Sequence, residues 1–506
     1  MILKKNCSRN KKVLICLLAF ICIIMIPTAK ATPSSNIIEN NNSGIPDKKL
    51  YKAILKELGK KKNQKFTKQE AESIKSLAIY SGKVKSLKGI KYLKELKNLD
   101  LEGAGLKNLK GIQDLKKLEK LNISHNYIKN LKPLKKLKNL KDLNASWNEI
   151  KSLKGIEGLK KLEQLDLERN KLKNVKELKN LTNLKAVGLP FNDLTSLKGF
   201  GKQKKLDYLD LEANNLTGIK ELKKLKNLDY LDVSNNAVTS LNGIQNLKKI
   251  EFLSAKRNRL TGIQEVKNLK KLTELDVSGN QLTSLKEVEN LKKLNFLYAS
   301  SNQLESLPDF RQLEQLSFLC LDDNRLTDLH GITSLRKLCL LGISFNRITE
   351  MPDLKQLSEL TIIQFEFNNL KESPEELKAK LPESCFGEKD SKWFEESYAQ
   401  QNLDYTIDFM EPAGVEMIHS NTTKISGHIH MPAEKVQIII EENLSDEDEF
   451  ETYFYADVDQ NGDFVFPNLD LKRFGNRKCD FHIGIVYGYD KERNYKVTSK
   501  RWYRIK

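Results

Sequence analysis

Apolar positions return along most of the chain with a period of 22 residues. Around Asn126 they are Leu118, Leu121, Ile123, Ile128, Leu131, Leu134 and Leu137. The same spacing surrounds Asn148, Asn170, Asn192, Asn214, Asn236, Asn258, Asn280, Asn302, Asn324, Asn346 and Asn368, with no insertion between them. Extended backwards, the phase falls on Ala104 and Gly82, so 14 units can be counted. Leu121 and Ile123 have the two-residue parity of a strand and point to one side, leaving Lys120, Asn122 and Ser124 on the other. The leucines that follow come at three-residue intervals, which suits extended or 3₁₀ turns. One such unit cannot bury its own apolar side, whereas a stack of them makes a continuous core. The pattern predicts a solenoid in which each unit adds one short strand to a parallel sheet.

The recurring asparagine falls where the strand ends and the chain turns over buried backbone. Its amide both donates and accepts, so it can serve main-chain groups left unpaired there and form a ladder through the stack. Loss of an interior one should cost about 1–3 kcal/mol through unsatisfied partners. These asparagines are structural, and no ligand role is assigned to them.

A stack of this kind needs closed ends. Ile45-Pro46-Asp47 opens a helical pattern with Leu50, Ile54, Leu55 and Leu58, and Thr67-x-x-Glu70 reads as a capping box for a second short helix. Ser373 to Lys380 has the pattern of a closing helix, followed by a polar, aromatic-bearing connection. The last hundred residues change period. Thr423 to Met431, Val436 to Glu442, Phe450 to Val458, Phe464 to Phe466, Phe481 to Tyr489 and Tyr495 to Ile505 read as strands, and six or seven short strands favour a β-sandwich.

Residues 1–31 stand apart. Lys4, Lys5, Arg9, Lys11 and Lys12 precede an unbroken apolar run from Val13 to Ile26, and Ala29-Lys30-Ala31 supplies the small residues of a signal peptidase site. The run is too short to span a bilayer comfortably, so it reads as a cleaved export signal. Loss of its six basic residues lowers the formal charge from +19 to +13. No second long apolar stretch follows, which implies no transmembrane span in the mature chain. The predicted order is thus a signal peptide (1–31), a linker and helical N-terminal cap (32–75), a repeat domain (76–385), a connecting segment (386–402) and a sandwich (403–506). The four cysteines beyond residue 31 have neither metal nor redox spacing and imply no disulfide framework.

The register also gives the outward faces. Six positions before the asparagine stand Tyr208, Tyr230, Phe252, Glu274, Phe296, Phe318, Leu340 and Ile362, a nearly continuous apolar column on the concave side. Solvent-facing aromatics in a row are characteristic of binding surfaces. The adjacent columns are acidic: Asp166, Asp210, Asp232 and Asp276 four positions before the asparagine, and Glu168, Glu212, Asp322 and Glu366 two before it. Trp147, Phe191, Phe345 and Phe367 flank this face immediately before their asparagines, and Tyr298 lies among the acidic positions. The positive charge goes elsewhere. Lys116, Lys138, Lys160, Lys204, Lys226, Lys248, Lys270, Lys292 and Arg336 form a ridge near the convex edge. Both surfaces have bland alternatives: aromatics can stiffen a sheet by packing on one another, and periodic lysine can serve solubility alone.

Other candidate sites are weak. Asp457-x-Asp459-x-Asn461-Gly462 begins like a Ca²⁺ loop but lacks the glutamate at its twelfth position, where Asn468 stands, so a hairpin turn is favoured. His428 and His430 share a strand face without a third ligand. There is no nucleophile elbow, P-loop or HExxH sequence, so neither catalytic residues, nor a metal site, nor a cofactor is implied. An exported chain with an acidic concave face also argues against nucleic acid as a partner.

The segment IPDKKLYKAILKELGKKKNQKFTKQEAESIKSL, the uninterrupted 22-residue repeats and the β-rich end resemble, in that order, the internalins of Gram-positive bacteria. ADVDQNGDFVF and the strand spacing resemble a bacterial immunoglobulin-like module. The implied fold is an α/β leucine-rich-repeat solenoid, its parallel sheet on the concave face, with a helical N-terminal cap and a C-terminal all-β Ig-like sandwich. Internalins commonly hold a host protein in the concave face. The resemblance therefore implies a non-enzymatic binding protein, secreted or held non-covalently at the cell surface, because the C-terminal RWYRIK carries no LPxTG tail. The expected hot spots are Tyr208, Tyr230, Phe252, Phe296, Tyr298 and Phe318, with Asp210, Asp232 and Asp276 steering approach. An envelope protein that binds anionic wall polymer through the lysine ridge is the alternative. An intracellular repeat protein of the phosphatase-regulator type has a similar arc but no export signal.

Overall fold

In a computed structural model of the chain, the described residues are 36–80, 82, 84–386, 392–399, 401 and the strand-bearing segments 407–411, 425–429, 435–443, 449–459, 463–466, 479–489 and 495–504. Fourteen three-residue strands, from Ser76–Ala78 to Ile362–Gln364, form one parallel sheet in strict sequence order. Its register is the 22-residue period itself: Tyr208 pairs with Tyr230, Tyr230 with Phe252, and Leu231 with Leu253. The middle residue of each strand, such as Leu121, Leu231 or Leu297, is buried, and the first and third face outward. The strand parity read from the sequence therefore holds through the sheet.

The asparagines complete the strand ends. Asn236 Nδ2 donates to Leu211 O at 3.0 Å, Val233 O at 3.0 Å and Ser234 O at 2.9 Å, and its Oδ1 accepts from Leu216 N at 3.0 Å. The same set of bonds recurs at Asn126, for example, with 2.7 Å to Leu106 N. Each rung joins one unit to the one before it. The residue preceding each rung adopts a left-handed conformation, with φ of +53° at Trp147, +52° at Phe191 and +57° at Phe345. On the far side the leucines line 3₁₀ turns such as Lys132–Lys136, Lys176–Asn180 and Lys220–Lys224. Close turn packing selects glycine at Gly155, where φ is +116° and a Cβ would strike the Leu131 carbonyl.

Helix α1 (Lys48–Glu57) and helix α2 (Lys68–Ser73) precede the sheet. Asp47 caps α1 with one carboxylate oxygen and accepts from Lys85 N and Ser86 N with the other, tying the helix to the first unit. Thr67 and Glu70 form the expected capping box. Leu50, Tyr51, Ile54 and Leu55 join the same apolar core as the repeat leucines.

At the other end, α3 (Pro374–Lys378) starts from a second capping box at Ser373 and Glu376. The segment expected to be a mere connection instead contains α4 (Lys392–Tyr398), whose Phe394 is fully buried beside Phe365, Phe386 and Tyr398. Gln401 Nε2 donates to Phe365 O at 2.9 Å, and its Oε1 accepts from Asn368 N at 3.2 Å. Gln401 thus serves main-chain groups just after the last strand that the next repeat serves elsewhere in the stack. A short aromatic helix without a strong period escaped the sequence pattern for that reason.

Beyond residue 402, strands occupy Ile425–Ile429, Lys435–Asn443, Glu449–Asp457, Asp463–Phe466, Cys479–Tyr489 and Tyr495–Arg504, within two residues of the expected bounds. A further strand, Ile407–Glu411, was not foreseen. They make a three-stranded and a four-stranded antiparallel sheet. Of the suspected Ca²⁺ segment only Asp457 to Asp459 lie within the described residues; Val458 bridges to Phe464 and Asp459 N donates to Asp463 O at 2.9 Å. Residues 1–35, where the signal peptide was expected, and His430 lie outside the described residues, as do the surroundings of the His428 side chain. Among the described residues no helix is long and apolar enough to cross a membrane.

Candidate functional site

The outward residues of the parallel sheet build two ring stacks. Tyr208 lies parallel to Tyr230 with centroids 4.4 Å apart, and Tyr230 to Phe252 at 4.3 Å. Phe296 and Phe318 form the second stack at 4.8 Å. Tyr208 is 37% exposed, and Tyr230, Phe252, Phe296 and Phe318 are half-buried. The rings therefore pack on one another and remain accessible at their outer edges. Glu274 interrupts the column, paired in register with Phe252 on one side and Phe296 on the other.

The acids beside the rings are partly structural. Asp210 accepts from Glu212 N at 2.9 Å, Asp232 from Ser234 N at 2.7 Å and Asp276 from Ser278 N at 2.9 Å. Asn122 and Asn144 make the same bond in earlier repeats. One oxygen of each aspartate is thus committed to the turn, a role that sequence reasoning missed when it assigned them to steering alone. Burial, with Asp232 and Glu212 close by, pushes the Asp210 carboxyl up to about 7 despite that amide bond. Burial pushes Asp232 up to about 6, with Glu212 and Asp276 adding to the effect, and Asp322 up to about 6. Oxygens of Asp210, Glu212 and Asp232 lie within 4.8 Å of one another, the set among the described residues that could hold a metal ion. Tyr298 pairs in register with Asp276 and is half-buried.

A second acidic edge went unnoticed in the sequence. One residue before the strands, charge alternates in the early repeats, with Lys97 3.3 Å and Lys141 2.6 Å from Glu119, and Lys185 2.7 Å from Glu163. Alternation then gives way to Asp207, Asp229 and Glu251 in succession. Burial and the neighbouring Asp207 and Glu251 raise the Asp229 carboxyl. The stack Tyr208–Tyr230–Phe252 accordingly runs between carboxylates on both sides. Comparing one position across consecutive repeats would have exposed this edge.

The flanking aromatics divide. The Arg169 guanidinium lies 4.3 Å from the Trp147 ring and 4.3 Å from the Phe191 ring, and His125 stacks on Trp147 at 5.0 Å. Trp147, Phe191 and Phe345 are half-buried. Phe367 is not available to a partner: it stacks on Phe345 at 4.4 Å and is only 3% exposed, in the repeat that the C-terminal segment covers. Its place among the expected contact residues is corrected. The lysine ridge is also less free than expected. Lys138 donates to Gly158 O at 3.2 Å, Lys270 to Asn290 O at 3.1 Å and Arg336 to Gln356 O at 3.2 Å, each serving a turn carbonyl of the next repeat.

The parallel ladder, the 22-residue unit and the asparagine rungs define a leucine-rich-repeat protein. A family model described as leucine-rich repeats (two copies) matches residues 248–293. A leucine-rich-repeat protein of Leptospira interrogans is 33% identical, with a TM-score of 0.50, over 60% of this chain and 86% of its own. The chain belongs to the leucine-rich-repeat proteins. Its fold is internalin-like: an internalin of Listeria monocytogenes, InlF, matches with a TM-score of 0.57 and 23% identity over 67% of this chain and 95% of its own. The functional domain of InlJ from the same organism matches with a TM-score of 0.60 and 20% identity, over 91% and 97% respectively. No curated protein matches the sequence.

Proposed function

We propose that this is an exported binding protein, not an enzyme, that holds a protein partner on another cell's surface, such as a host cell, in the concave face of its arc. The observation that carries this reading is the pair of accessible ring stacks bordered by carboxylates, on a chain whose formal charge is positive overall. Exposed aromatic clusters concentrate binding energy, and the acids favour a basic or mixed partner surface. The export half rests on the basic and apolar pattern of residues 1–31. Retention of wall polymer by the lysine ridge is the weaker reading, because several ridge cations are held by turn carbonyls.

The test compares the wild-type protein with the Tyr230→Ser, Phe252→Ser, Phe318→Ser triple variant for binding to intact cells and to immobilised surface protein. The inward leucines are untouched, so the fold should survive. Binding is expected to weaken at least about tenfold. A folded variant that binds as well as wild type would remove the concave reading. Salt-sensitive retention on anionic wall polymer, equal in both proteins, would favour the ridge instead.

A further inference from the structure

The first ring stack is bounded on every side. Ala186 pairs in register with Tyr208 at one end and Glu274 with Phe252 at the other, so the platform is three repeats long. Its rings cover one another's faces, with centroids 4.4 and 4.3 Å apart, and turn their edges outward. A cation is attracted to the face of a ring and not to its edge, so this centre line suits apolar groups. Cations belong on the two flanks. On one side, the row one residue before the strands carries Asp207, which is half-buried, and Asp229 and Glu251, which are exposed. Among the described residues Asp207 and Asp229 take part in no ion pair, and Glu251 meets only Lys271, at 3.5 Å. The early repeats differ, for there lysines of the same row stand 2.6 Å from Glu119 and 2.7 Å from Glu163. On the other side stand Asp210 and Asp232, each with one oxygen committed to a turn amide. The rings thus lie between two carboxylate rows, one of them largely without cations of its own.

The spacing of the rows decides which backbone fits over them. Asp207 and Asp210 are three residues apart along the chain, about 10 Å, which is the width of an α-helix with its side chains. An extended peptide projects its side chains to two opposite faces, so with apolar residues on the rings its alternate residues point away from both rows. A helix presents an apolar stripe and a polar flank on each side of it at the same time. Lying along the stack, it rises about 5.4 Å per turn against one ring every 4.3 to 4.4 Å, so two turns stay in step with three rings to within about 2 Å. The flexible stems of lysine and arginine absorb a mismatch of that size.

We propose that Tyr208, Tyr230 and Phe252 seat an amphipathic helix of the partner, its apolar stripe on the ring edges and its lysines or arginines along both flanks against the two carboxylate rows. This rests on the concave-face reading and names the kind of partner element that the face selects. The probe is a labelled peptide about 18 residues long, enough to be helical alone, with leucines three and four residues apart between flanks of lysine. Its binding to the full chain is followed by fluorescence anisotropy, beside two peptides of the same composition, one with leucine and lysine alternating and one with the order scrambled. The helical peptide should bind at least about tenfold more tightly than either. Asp207→Asn together with Asp229→Asn should weaken it about tenfold and flatten its salt dependence, and Phe252→Ser should weaken it as much. Tyr127→Ser, which removes an exposed aromatic outside the concave columns, should leave it unchanged. Equal affinity for the three peptides, tighter binding of the alternating one, or a helical peptide indifferent to the aspartate pair would overturn the seat. If the aspartate variant does not fold, unchanged binding by Phe252→Ser has the same force. Loss of cell binding by the triple serine variant, with no preference among the peptides, would remove the helix and leave the concave reading standing.

Discussion

At the scale of single residues, the asparagine rungs show how much one side chain can carry. Asn236 serves three carbonyls and one amide in buried surroundings, and alanine would leave all four without that partner. Asn236→Ala is expected to lower stability by about 3 kcal/mol, read as a shift in the urea midpoint. Asn242→Ala, at an exposed turn position, should stay within about 0.5 kcal/mol. The rung was legible in the sequence because twelve copies share one phase and only an amide supplies both donor and acceptor. The Arg169 sandwich was not, since the position before the rung varies and its partners lie 22 residues away on either side. The backbone bond of Asp210 was also hidden: an outward aspartate looks the same on paper whether it faces solvent or closes a turn.

At the scale of elements, the strands, far-side turns and helices α1 to α3 follow from periodicity and capping residues, because the local pattern and the stacked core demand the same conformation. Helix α4 follows from neither. It exists because the turn after the last strand needs hydrogen-bond partners and the last leucine layer needs a lid, demands that only the assembled stack creates. Phe394→Ala should therefore cost about 3–5 kcal/mol. It should also increase amide hydrogen exchange in the repeats next to α4 more than in those near α1, because each repeat contacts only its neighbours. Uniform exchange along the solenoid would contradict that account. The same cover explains the misassigned Phe367, whose repeat looks like every other until its neighbour on the C-terminal side is known.

At the scale of the whole molecule, the concave face gathers half-buried carboxylates that the fold keeps close together. The folded-state values of Asp210, Asp232 and Asp322 lie above the ordinary carboxylate value, so the folded chain holds more protons than the unfolded chain across that interval. The stabilising effect of those protons is complete below about pH 4 and is lost as pH rises through about 7, the value for Asp210. Melting temperature should therefore fall between pH 5 and pH 8, and the Asp210→Asn, Asp232→Asn double variant should flatten the slope. Asn122 and Asn144 already show that an amide can make the turn bond at this position. A double variant with an unchanged slope would assign the pH dependence to other groups.

Because the rungs repeat at one fixed interval without insertion, the arc is a ruler graduated in complete turns of chain. Loss or gain of a whole graduation leaves every amide facing a matching carbonyl, whereas loss of half of one would strand two turns against each other. Descendants of this molecule could thus lengthen or shorten their grip, and slide the ring stacks toward either end, without inventing a new core.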